Sequence, residues 1–111
     1  MIVAERILRL RGAAGEVEVP VRIFNPERDG TAFRCRYEIG WPEGAAARTA
    51  AGVDAVQALV IALKLVGTEL YTSEAHAGGR LRWETEGGGY GFPVPGTIRD
   101  LLVGDDARFE G

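Results

Sequence analysis

Residues 54–71, DAVQALVIALKLVGTELY, form the one clear helical stripe in the chain. Val56, Leu59, Val60, Leu63, Val66, Gly67 and Leu70 recur at helical spacing, the pattern of a helix that buries one face. A single such helix has no helical neighbour, so its stripe belongs on a sheet. At about 1.5 Å per residue it spans roughly 27 Å, enough to cross several strands. Asp54 followed by Gln57 has capping-box spacing and fixes the start, and the helix is expected to run to about Tyr71. Leu63 is expected against the sheet, and Gly67 is expected to allow close approach.

The strands are marked by alternation. IVAERILRLR and EVEVPVRIF flank GAAG and predict a hairpin, with Gly12 to Gly15 as its loop. That register sets Leu10 against Val17 and Leu8 against Val19 on one face, and Arg11 against Glu16 and Arg9 against Glu18 on the other. Apolar meets apolar and charge meets opposite charge, which is how a register is fixed. FRCRYEI then alternates Phe33, Cys35, Tyr37 and Ile39 with Arg34, Arg36 and Glu38, so its apolar side is expected in the core.

Beyond the helix, RLRWETE and YGFPVP are two amphipathic stretches around GGG. A turn at Gly87 and Gly88 predicts Trp83 opposite Phe92 and Leu81 opposite Val94. A phosphate-binding role for this glycine run fits poorly. Starting GxGxxG at Gly89 and Gly91 places Val94 at the third glycine, and Pro93 and Pro95 have no N–H to offer an anion. In the tail, Thr97, Asp100 and Gly104 carry the cap and stop signals of a short helix. The fold class expected is α+β, in the order β-β-β-α-β-β. It is an antiparallel-rich sheet with one long helix packed on one face and a short C-terminal helix.

At 111 residues the chain has room for one domain and one modest core. Thirteen basic against 16 acidic residues leave a net charge of −3, which provides no global field for nucleic acid or anionic lipid. Ile2, Val3 and Ala4 precede Glu5 and Arg6, short of the apolar run of about 7–15 residues in a signal peptide. The run ALVIAL ends at Lys64, short of the roughly 20 residues of a membrane span. A single cysteine, Cys35, excludes an intrachain disulfide and suits a reducing cytoplasm.

Reactive residues are few. His76 is the only histidine and Cys35 lies on an apolar strand face, so a zinc site is not assembled, and neither metal nor cofactor is expected. Asp105 and Asp106 lack the spaced oxygen ligands of a calcium loop. Arg22, Arg34 and Arg36 share a region with Glu5, Glu18 and Glu38, the composition of a mixed solvated face rather than a basic patch. Trp83 and Tyr90 can stack a base, but strand alternation sends Arg80 and Arg82 to the face opposite Trp83. The best catalytic candidates are Tyr71, Glu74 and His76, at the C-terminal end of the helix, where a phenol, a carboxylate and an imidazole gather. A solvated loop accounts for the same residues without chemistry.

The stretch from Gly52 to Asp106, through LY, GRLxW, GFPVP and DLLxG, resembles a family of small bacterial proteins classed as a domain of unknown function. The motifs cover roughly the C-terminal half. The resemblance implies a bacterial single-domain protein and supplies no activity, cofactor or catalytic residue. The functional expectation is therefore a cytoplasmic, non-catalytic binding or protein-interaction module, associating with itself or another protein and not with nucleic acid or membrane. The alternative is a small enzyme using Glu74 and His76 as acid and base.

Overall fold

Strands β1 (Ile2–Gly12) and β2 (Gly15–Phe24) form the hairpin that the charge pattern specifies. Leu8 faces Val19, Leu10 faces Val17, Arg9 faces Glu18 and Arg11 faces Glu16. The ladder continues to Gly12 and Gly15, so the turn itself is Ala13-Ala14 and not the four residues expected. This is seen in a computed structural model that describes residues 1–96, Val103 and Asp106. The helix expected over Thr97–Gly104 lies outside the described residues, as does Asp105.

Strand β3 (Glu27–Asp29) turns into β4 (Ala32–Ile39), and β5 (Ala46–Gly52) lies along the other edge of β4. Sequence reasoning missed β3 and β5 for a physical reason. ERD and AARTAAG have poor strand propensity, and each is held extended by the ladder it makes with β4. In β4, Cys35, Tyr37 and Ile39 face the core as their alternation requires.

Helix α1 (Ala55–Tyr71) lies mainly over β4 and β5. The Asp54 carboxylate accepts the Gln57 N–H at 2.8 Å, and the Gln57 side chain accepts the Val53 N–H at 2.7 Å. Its orientation corrects the expected stripe in part. Val66, Gly67 and Leu70 are buried as expected and Leu59 and Leu63 pack half-buried against the core, but Ala58 and Ala62 are buried where Val56, 69% exposed, and Val60, 41% exposed, were expected. The helix is apolar nearly all round, so hydrophobicity alone does not choose a face. Close packing on small-residue β5 does, and it selects the alanines. A four-residue helix, α2 (Glu74–Ala77), follows, capped by Ser73. No helix among the described residues is long and apolar enough to cross a membrane.

Strand β6 (Leu81–Arg82) then pairs with β1 at Leu10 and Arg9. The fold class is the expected α+β one, an antiparallel sheet of six strands with a long and a short helix, and the main order across it is β5-β4-β2-β1-β6. The C-terminal hairpin is corrected. Trp83 bridges Thr85 in a tight turn at Glu84, and residues 90–94 are not a strand. They cross the core instead, burying Tyr90, Phe92 and Val94. Alternation identified the apolar residues but not what they bury against. Two prolines without N–H groups cannot sustain a ladder, and burying each large side chain stabilises the fold by about 1.5–3 kcal/mol whichever surface covers it. Gly67 permits this crossing, because a Cβ there would stand 2.2 Å from the Pro93 carbonyl oxygen.

Candidate functional site

Two adjoining features meet on residues 90–93. The first grows from the end of α1, whose last residue, Tyr71, donates its hydroxyl to the Asp106 carboxylate at 2.5 Å. The same carboxylate accepts the Tyr90 N–H and the Gly91 N–H, each at 2.7 Å. The glycine-rich run therefore does gather an anion, and that anion is the protein's own side chain. Ser73 caps α2 by accepting the His76 N–H at 3.1 Å, and His76 Nδ1 lies 2.5 Å from the Tyr90 hydroxyl. The rings of Tyr71, His76 and Tyr90 pack with centroids 4.8–5.5 Å apart.

Burial governs the electrostatics here. It raises the Tyr71 phenol well above its ordinary value, assisted by the bond to Asp106. It also pushes the Tyr90 phenol to about 12, with the Asp106 charge adding to the effect. His76 shifts downward because desolvation disfavours its cation, the opposite of the shift expected from a helix C-terminus. Glu74 is exposed at the start of α2 and lines a hollow with Trp41 and Arg80, whereas His76 lines another with Arg82, Thr85 and Tyr90. Of the three candidates, Tyr71 and His76 are brought together and Glu74 stands apart.

The second feature is a cleft of about 230 Å³ between the core face of β1 and β2, helix α1 at Leu63, and the Gly91-Phe92-Pro93 wall. Ala4, Val21 and Ile23 make its apolar floor and Arg6 its cationic side. Arg6 sits opposite Val21, on the same face as Leu8 and Leu10. Its guanidinium lies 3.8 Å from the Trp83 ring centroid and 5.0 Å from that of Phe92, and Nη1 donates to the Tyr90 carbonyl at 3.0 Å. Gly91 has φ 79°, and a Cβ there would fall 2.5 Å from Arg6 Nη1 and 2.7 Å from the Trp83 ring, so only glycine fits.

Sequence reasoning missed Arg6 and Asp106. The signal for Arg6 was present, since the hairpin register carries Leu10, Leu8 and Arg6 to one face. Asp106 had none, because its partner Tyr71 is 35 residues away. On the opposite sheet face the arginines are paired: Arg22 with Glu5 at 2.7 Å, Arg34 with Asp29 at 2.5 Å, and Arg36 with Glu38 at 2.6 Å. Arg82 meets Glu16 at 2.9 Å. Among the described residues no three His, Cys, Asp or Glu side chains converge as metal ligands.

These features define an α+β domain in which an antiparallel sheet carries one helix and a glycine-rich cover segment. The chain belongs to the family described as Domain of unknown function (DUF6968), whose profile matches residues 4–94. The match takes in the N-terminal hairpin as well as the helix and the cover segment. No curated protein and no solved structure matches the chain.

Proposed function

We propose that this chain is a non-catalytic protein-interaction module of a bacterial cytoplasm, taking a partner along the edge of β1 and in the cleft beside it. One observation carries the reading: the cleft lies beside an open strand edge. Strand β6 covers β1 only at Arg9 and Leu10, and the Arg11 N–H donates to the Arg80 carbonyl. Among the described residues no strand lies beyond β1 from Ile2 to Leu8. Ladder alternation turns the amides of Ile7 and Glu5 the same way as that of Arg11, away from β2. Pro20, opposite Ile7, agrees with this, since its missing N–H falls where β1 and β2 exchange no bond. An open edge of this kind accepts another strand through its main chain.

Cys35, a free and buried thiol, suits the reducing compartment. The bacterial assignment follows from the family resemblance. The polar cluster supports a structural role, because Asp106 already holds three donors and His76 already meets Tyr90. A second reading, a small enzyme with its acid and base among Tyr71, Glu74 and His76, is favoured by the cavity of about 240 Å³ that His76 and Tyr90 line with Arg82 and Thr85.

The test uses Glu5→Pro, which removes one outward N–H and leaves the β1–β2 ladder intact. A partner isolated from the native cell should protect the Glu5 and Ile7 amides from hydrogen exchange, and the variant should lose that partner at unchanged melting temperature. A partner retained by the variant, with those amides still exchanging, refutes the edge. Light scattering on the pure chain separates self-association from a foreign partner.

A further inference from the structure

We infer that the segment taken at this edge is an extended acidic strand of another protein, with a carboxylate on Arg6 and the next inward side chain, an apolar one, in the cleft. The inference rests on the interaction reading above and adds the partner's chemistry. A strand continuing the line of β6 would run opposite Ile7, Arg6, Glu5 and Ala4, short of the register shift between Ile2 and Ala4. Strand alternation sends its residues opposite Arg6 and Ala4 towards the cleft and the others to the solvated face. The cleft walls there are Ala4, Val21, Ile23, Leu63 and Phe92, a lining that accepts one aliphatic side chain.

Arg6 supplies the polar determinant. Stacking on Trp83 and the bond from Nη1 to the Tyr90 carbonyl orient its plane, and among the described residues that bond leaves guanidinium donors unused. A fixed guanidinium beside an apolar slot recognises a carboxylate better than a neutral group. Glu5, which also lines the cleft, is already paired with Arg22 at 2.7 Å, so the residue opposite it adds little to the selection.

A second copy of this chain fits the edge badly. In the symmetric antiparallel register that pairs all of residues 2–8, Glu5 meets Glu5. In the register centred one residue later, Arg6 meets Arg6. Centred one residue earlier, on Ala4, the pairing runs into the register shift between Ile2 and Ala4. Like charges directly opposite are destabilising, so the edge disfavours itself and selects a partner of complementary sequence.

The probes are two labelled, end-blocked peptides, Ser-Thr-Glu-Lys-Ile-Thr-Ser and its reverse, one for each strand direction. Binding to the full chain is followed by fluorescence anisotropy. One direction should bind, replacing its glutamate with glutamine should weaken it at least about tenfold, and N-methylation of the amide that faces β1 should abolish it, the lysine amide in the antiparallel peptide and the glutamate amide in the parallel one. Arg6→Gln should weaken the parent peptide equally and leave the glutamine peptide unchanged. Because the glutamine substitution lies in the peptide, it remains decisive even if Arg6→Gln unfolds the protein. Equal binding of the glutamate and glutamine peptides, with the N-methylated one inactive, overturns the acidic partner and keeps the edge. Binding of neither direction up to about 1 mM, or binding indifferent to N-methylation, overturns the edge itself.

Discussion

Replacing Gly67 with alanine is expected to destabilise the protein, although the same change in an exposed helix stabilises it by about 0.5–1 kcal/mol. The added Cβ would stand 2.2 Å from the Pro93 carbonyl oxygen and 3.0 Å from Val94 Cγ1. A relaxed carbon–oxygen contact is about 3.3 Å or more, so the cover segment must retreat by about 1 Å. Overpacking on this scale costs about 1–3 kcal/mol, and set against the helix gain it leaves a net loss of up to about 2.5 kcal/mol. Urea denaturation measures it, with Gly96→Ala as control, since among the described residues nothing lies within 4 Å of a Cβ at Gly96. The retreat should also speed hydrogen exchange at the Tyr90 and Gly91 amides, which bond Asp106. A gain in stability with unchanged exchange would mean that Pro93 does not rest on α1, and the account of the cover segment would fall with it.

Ala62→Leu is expected to lower the urea midpoint by overpacking worth about 1–3 kcal/mol, whereas Val56→Ala should stay within about 0.5 kcal/mol. The opposite ranking would restore the stripe centred on Leu63. Asp106→Asn should cost about 1–3 kcal/mol by equilibrium unfolding, because the amide presents N–H groups where one of three donors needs an acceptor. A loss under about 0.5 kcal/mol would deny that this carboxylate is buried in the nest. Burial holds the folded His76 pKa below its unfolded value of 6.5. The unfolded chain then takes up the proton first, so this contribution is complete above pH 6.5 and declines as pH falls from there towards the folded value. Urea midpoints across this range should show that decline, and His76→Gln should remove it. An identical pH profile in the variant refutes the assignment.

The hairpin was legible residue by residue because both faces of β1 and β2 carry the same instruction. A slip of one residue would break the apolar and the charged pairs together. Strand β4 was legible from one face alone. Strand β5 was not, because AARTAAG becomes a strand only through its ladder with β4 and the small residues suit the helix above it. The helix limits were readable from Asp54 and Gln57, but its rotation was not, since that depends on approach distance rather than hydrophobicity. Of the site, Tyr71 and His76 were found from local spacing. Their link to Tyr90 and Asp106 is a long-range contact that no local pattern encodes.

The polar cluster and the cleft are joined through one residue. Tyr90 donates its N–H to Asp106 and receives Arg6 at its carbonyl, while the Gly91 N–H takes the other carboxylate oxygen. The 90–91 backbone is therefore polarised between an anion and a cation, each bond strengthening the next. This arrangement explains why an arginine is tolerated on a core-facing strand position: its charge is answered through a peptide unit rather than by direct contact with Asp106. It also explains why the glycine run cannot be replaced by an ordinary turn. Gly91 must bring its backbone against the Trp83 ring and Arg6, and the Asp106 carboxylate holds it there. Tyr71, through Asp106, thus braces the backbone that receives the Arg6 guanidinium beside the cleft. A change at Tyr71 or Asp106 should then weaken partner binding without either residue touching the partner.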